Sequence, residues 1–99
     1  MSQPYEILYA EEAMADLKVL RVFDQRIVMS GIETHLRHEP RKESKSRIKA
    51  MLQPFWSQYR LGVEDFRVYY DVSEFEDART VFILRVLAKT TGATPEKPT

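Results

Sequence analysis

The stretch Tyr59–Val72, YRLGVEDFRVYYDV, holds two alternating apolar and polar runs joined around Val63, Glu64 and Asp65. Successive side chains of a strand point to opposite faces. In the first run Tyr59, Leu61 and Val63 therefore share one face, leaving Gln58, Arg60 and Gly62 on the other. In the second run Phe66, Val68, Tyr70 and Val72 form an apolar face opposite Arg67, Tyr69 and Asp71. An antiparallel hairpin with both apolar faces turned inward gathers Arg60, Arg67 and Tyr69 on one outer surface.

Outward from this hairpin, Arg47–Leu52 (RIKAML) reads as a strand with Ile48, Ala50 and Leu52 inward and Arg47, Lys49 and Met51 outward, broken by Pro54. Val81–Lys89 (VFILRVLAK) is the most strand-like segment; its parity sets Phe82, Leu84, Val86 and Ala88 on the inner face and Arg85, Leu87 and Lys89 on the outer. Tyr5–Tyr9 (YEILY) is a short β-prone run. From Glu11 the period becomes helical through Ala13, Leu17 and Leu20, with Glu11 and Glu12 placed well for the helix dipole. Asp24 reads as the N-cap of a second helix carrying Val28, Ile32, His35 and Leu36, which Glu39 ends because the residue before Pro40 disfavours helix. PRKESKS is a basic connection, SEFEDAR an acidic turn region, and TTGATPEKPT has no periodicity. One domain over residues 1–89 with a mobile tail over 90–99 is expected.

The fold expected is α+β, in β-α-α-β-β-β order: a two-helix hairpin packed on one face of a curved, mostly antiparallel four-stranded sheet. Summed over the strands, the parity argument puts Arg47, Lys49, Arg60, Arg67, Arg85 and Lys89 on the helix-free face with Tyr69, against Asp71 alone among the strand acids. The formal net charge is zero, yet residues 1–40 carry seven acids against four bases, so the remainder is basic by the same margin. There is no cysteine, which suits a reducing compartment, and no run approaches the ~20 apolar residues of a membrane span. The opening MSQPYEILYAEEAMADL lacks a basic segment followed by an apolar core, so a soluble cytoplasmic protein away from membranes is expected.

A concave basic surface with an aromatic suits single-stranded nucleic acid: cations track phosphates, and Tyr69 or Trp56 stacks on a base. Were a phosphodiester cleaved there, the arginines would stabilise the charge growing on phosphorus. His35 and His38 beside Glu39 read better as a half-buried and a surface histidine than as metal ligands. Gly31, Gly62 and Gly92 are isolated, so no glycine-rich phosphate loop exists, and neither a metal nor a cofactor is expected.

The opening YEILYAEEAMADLKVL, the hairpin YRLGVEDFRVYYDV and the closing VFILRVLAK together resemble the RelE/ParE superfamily of bacterial type II toxins, over residues 5–89. The resemblance implies a toxin held by a cognate antitoxin. RelE-like members cut messenger RNA in the ribosomal A site through the ribose 2′-hydroxyl, whereas ParE-like members poison DNA gyrase. It further implies catalytic roles for Arg60, Arg67 and Lys89, with Tyr69 expected to take over proton transfer; the basic face itself gives the expected RNA-binding residues, Arg47, Lys49, Trp56, Gln58 and Arg85. Two departures stand out. Gln58 replaces a lysine frequent in the ribosome-dependent nucleases, and TTGATPEKPT lacks the tyrosine or histidine expected after the last strand. The implied function is a ribosome-dependent endoribonuclease; a gyrase-directed toxin and a weakened toxin that mainly binds its antitoxin are the alternatives.

Overall fold

The computed structural model describes residues 3–89, so the expectation for the 90–99 tail falls outside the described residues. The order is β1 (Glu6–Tyr9), α1 (Glu11–Lys18), α2 (Val22–Leu36), β2 (Ile48–Ala50), β3 (Tyr59–Val63), β4 (Phe66–Phe75) and β5 (Ala78–Ala88). These strands form one sheet in the order β1-β5-β4-β3-β2. It is antiparallel except for β1, which runs parallel to β5. The sheet thus has five strands rather than four: every segment read as a strand forms one, including β2, which pairs with Leu61, Arg60 and Tyr59.

The hairpin that decided the fold has the expected register, Tyr59 opposite Tyr70 and Val63 opposite Phe66. Its two-residue turn places Glu64 at φ 51°, and the β4–β5 turn repeats the device with Glu76 at φ 54°. Positive φ at a hairpin turn matches the right-handed twist of the flanking strands. SEFEDAR is therefore mostly strand, with only Glu76 and Asp77 in the turn.

Leu61, Val63, Val68, Tyr70 and Val72 are buried against Val28, Ile32 and Leu36 of α2 and Ala13 and Leu17 of α1. The Tyr70 hydroxyl donates to the Pro40 carbonyl at 2.7 Å inside this core, and burial pushes its phenol far above the ordinary range. Gly31 sets the distance between α2 and β3, since a Cβ there would lie 2.8 Å from Val63 Cγ2.

Three expectations about parity and boundaries are corrected. On β5, Val81 and Ile83 are buried while Phe82 is 39 % exposed. A bulge pairs Tyr70 with Ile83 but Tyr69 with Arg85, so Leu84 is unmatched and the inward phase shifts, returning Val86 to the core. Strict alternation cannot anticipate an inserted residue. On β2 only Ile48 is buried; the strand stops at Ala50, Ala50 is exposed and Leu52 is 93 % exposed. Finally α2 starts at Val22, with Asp24 in its first turn accepting from Arg21 Nε at 3.2 Å, and it ends at Leu36, before Glu39. A carboxylate in the first turn serves the helix dipole as well as a cap would.

Candidate nucleic-acid interface

On the helix-free face the outward residues of β2, β3 and β4 converge on a cleft of about 140 Å³ lined by Ser44, Lys45, Ser46, Arg47, Lys49, Arg60, Gly62, Arg67 and Lys89. The register explains the convergence. Lys49 is opposite Arg60, Gly62 is opposite Arg67, and Arg67 lies diagonal to Arg60 on the adjacent strand. Diagonal neighbours of this kind stand roughly 7–8 Å apart, a spacing that brackets one phosphate group. Gly62 forms the floor: its missing side chain leaves the Lys89 ammonium free to lie across the sheet, with Nζ 3.7 Å from where a Cβ would be. The Lys89 amide donates to the Asp65 carbonyl at 2.8 Å, which fixes the backbone from which this arm extends.

The wall is the connection ahead of β2. Ser44 Oγ accepts from the amides of Arg47 and Ile48 at 3.1 and 3.2 Å. Arg47 exchanges backbone and side-chain hydrogen bonds with Gly62, its carbonyl taking the Gly62 amide at 2.8 Å and its guanidinium donating to the Gly62 carbonyl at 3.3 Å. Sequence reasoning noted PRKESKS as basic without assigning Ser44, Lys45 and Ser46 to the site. The signal was there, since a polar run leading directly into an edge strand is carried to the mouth of that strand.

Among the described residues, none of Lys45, Arg47, Lys49, Arg60, Arg67 or Lys89 takes part in an ion pair, although six pairs form elsewhere. Among the described residues no carboxylate lines the cleft. Two unit charges ~7 Å apart repel by roughly 0.6–2.4 kcal/mol for effective dielectrics between 80 and 20. The fold holds this arrangement without internal compensation, and an oxyanion seated there would relieve it.

Four of the expected site residues lie outside the cleft lining. Tyr69 is on the predicted face but 1 % exposed. Trp56 and Phe55 cover it, their ring centroids 4.7 and 6.2 Å away. Gln58 is a clamp between β3 and β4: its backbone N–H donates to Asp71 Oδ1 at 2.7 Å and its side-chain Oε1 accepts from the Val72 backbone N–H at 2.8 Å. That contact also occupies Asp71, the acid expected on this face. Arg85 turns to the opposite edge of β5, where Nε and Nη2 both reach Asp16 of α1 at 2.8 Å. Those hydrogen bonds hold its guanidinium more firmly protonated than usual. Trp56 is half-buried, packed between Phe55 and Tyr69, and does not line the cleft. His35 is half-buried and His38 exposed, as read from the sequence.

The architecture is an α+β sheet with a helical hairpin on one face and, on the other, a cleft whose cations form no ion pair among the described residues. That architecture recurs in a solved toxin-antitoxin complex, RelBE2 of Mycobacterium tuberculosis. One chain of that complex superposes with a TM-score of 0.68 at 21 % identity, covering 87 % of this chain and 99 % of that one. The likeness establishes a shared fold of the RelE type. No protein-family model matches the sequence, and no curated protein does. No helix among the described residues is long and apolar enough to cross a membrane.

Proposed function

We propose that this chain is the toxin component of a type II toxin-antitoxin system and cuts messenger RNA on the ribosome, in the cytoplasm. The carrying observation is the cleft, whose lining of six cations without a carboxylate lies on a fold shared with a chain of a toxin-antitoxin complex. In this reading Arg60 and Arg67 flank the scissile phosphate from adjacent strands, and their forks stabilise the charge that builds on its oxygens as the 2′-hydroxyl attacks. Lys89 reaches over Gly62 as a point charge on the same group and carries protons for the departing 5′-oxygen. Arg47, Lys45 and Lys49 track the neighbouring phosphates.

Among the described residues the lining has no carboxylate or imidazole, and Tyr69 is covered. Removal of the 2′-hydroxyl proton is therefore left to the ribosome or to solvent, and turnover is slow. That same observation favours a second reading, a weakened toxin that mainly binds its antitoxin. An antitoxin partner is also supported by the apolar surface that the helical hairpin exposes at Met14, Val19, Val22 and Phe23. Primer extension on translating ribosomes, with the chain induced alone and with its neighbouring reading frame, tests the proposal. New 5′ ends within ribosome-bound messages, suppressed by the neighbour, are expected. Intact messages together with trapped gyrase-DNA complexes would replace the RNase with a gyrase poison, and neither effect would leave the second reading.

A further inference from the structure

Beside the cation cleft lies a second cavity of about 530 Å³, lined by Lys49, Ala50, Met51, Leu52, Phe55 and Arg60. Lys49 and Arg60 line both, so the two form one continuous surface, cationic at one end and apolar at the other. Leu52 is the most exposed large apolar side chain among the described residues. Its display is built rather than frayed. Gln53 Nε2 donates to the carbonyls of Met51 and Ser57 at 3.2 and 3.1 Å, and the Ser57 hydroxyl donates to the Tyr59 carbonyl at 3.2 Å. Phe55 is backed by Trp56, ring centroids 4.9 Å apart and planes 29° from parallel, and Trp56 in turn packs on Tyr69. A cluster of three rings thus rises from β4 and presents its outermost member to the cavity.

We propose that this cavity is a nucleobase subsite: it takes one unstacked base of a single-stranded RNA whose phosphates lie in the adjacent cation cleft. The inference rests on the nucleic-acid reading of that cleft. The occupant is fixed by continuity and charge. A ligand spanning both ends carries an anionic group within one nucleotide of a flat apolar one, which is the repeating chemistry of a single strand. A duplex hides its bases and does not supply the second group. Leu52 and Met51 form the greasy wall, Phe55 the ring against which the base lies, and the Arg60 guanidinium is the hinge between base and phosphate. Tyr69, expected to touch RNA itself, instead supports the ring cluster from beneath.

The test measures binding of the full chain to a short 2′-O-methylated RNA, which cannot be cut, and to the same strand with one abasic residue at each position in turn. Fluorescence anisotropy at fixed low salt gives the affinities. One abasic position is expected to weaken binding by about 10-fold, the scale of one base–aromatic stack. Leu52→Ala and Phe55→Ala should weaken the intact strand similarly and leave that abasic strand unchanged, while Phe55→Tyr should bind like the parent. Leu52 is solvent-exposed, so its variant folds even where loss of the Phe55 ring disturbs the cluster. Arg67→Ala should weaken intact and abasic strands by the same factor. Equal losses on both strands for Leu52→Ala, or no position-dependent loss with the parent chain, would overturn the subsite while leaving the phosphate cleft standing. Failure of the parent chain to bind any strand would remove the nucleic-acid reading and the subsite together.

Discussion

Asp16→Ala tests the most consequential ion pair in the domain. The Asp16 carboxylate accepts from Arg85 Nε and Nη2, each at 2.8 Å, and from the Val86 amide at 2.9 Å. The last contact lies past the end of the β1–β5 ladder, whose final pair is Tyr9 with Ile83, so a side chain from α1 takes over as acceptor where β1 has stopped. Truncation strands a guanidinium and a backbone amide at once. Losing one partner of a buried pair costs roughly 3–5 kcal/mol. The side chains of Arg85 and Asp16 retain 18 % and 14 % exposure, and that access to water lowers the expectation to about 2–4 kcal/mol. Domains of this size hold roughly 5–15 kcal/mol in all, and about 4–8 °C of Tm accompanies each kcal/mol. A fall of roughly 8–32 °C should follow in calorimetry, with a matching drop in urea midpoint at unchanged slope. Asp16→Asn keeps an acceptor for the Val86 amide and should fall between. Arg85→Met should cost less than Asp16→Ala, because Asp16 then still serves that amide. An Asp16→Ala variant within ~0.5 kcal/mol of the parent would refute the assignment of Arg85 to the fold.

The remaining expectations can be checked with the same small set of variants. Ile83→Asp should unfold the domain by burying an unpaired charge whereas Phe82→Asp should be tolerated, which circular dichroism would show; equal losses would contradict the bulge. Glu74 is held below the usual carboxylate range first by the Tyr5 hydroxyl, which donates to it at 2.9 Å, and then by Arg41 and Arg79. With its folded pKa depressed, its contribution is present above the unfolded value and fades as pH falls through the folded one, so Glu74→Gln should flatten the acid limb of a stability–pH curve. In primer extension, Arg60→Ala and Arg67→Ala should each lower cleavage by ~10² or more with melting unchanged, and Lys89→Ala by less. Phe23→Glu should weaken co-purification with the proposed antitoxin, the product of the neighbouring reading frame, without lowering Tm, since the side chain is exposed in the free chain.

The hairpin was legible because strand parity is a strictly local rule and alternation holds within each of its runs, Tyr59 to Val63 and Phe66 to Val72, on either side of the turn. The helices were legible for the same reason, their buried Leu17, Val28, Ile32 and Leu36 recurring at helical spacing. Failures occurred where a tertiary contact overrode the period. Alternation in VFILRVLAK carries no trace of the unmatched Leu84, because the bulge is fixed by the partner strand and by Asp16, 70 positions from Val86. Tyr69 had the right face and the wrong exposure, since parity says which way a side chain points and nothing about what the preceding loop lays over it.

These two misreadings have a common structural consequence. Had β5 alternated without interruption, Phe82 rather than Ile83 would face the helices. The bulge instead carries Arg85 into the grip of Asp16 while leaving Lys89, four residues on, extended across Gly62. The same strand thereby supplies one cation that is neutralised and structural and another that is unpaired among the described residues and open. Burial of Tyr69 makes a matching division among the aromatics, with the innermost ring supporting and the outermost, Phe55, exposed to whatever enters beside Arg60. Composition counts all these cations and rings alike. What sets Arg85 apart from the six cleft cations is an acidic partner: Asp16 neutralises it, whereas none of the six takes part in an ion pair among the described residues.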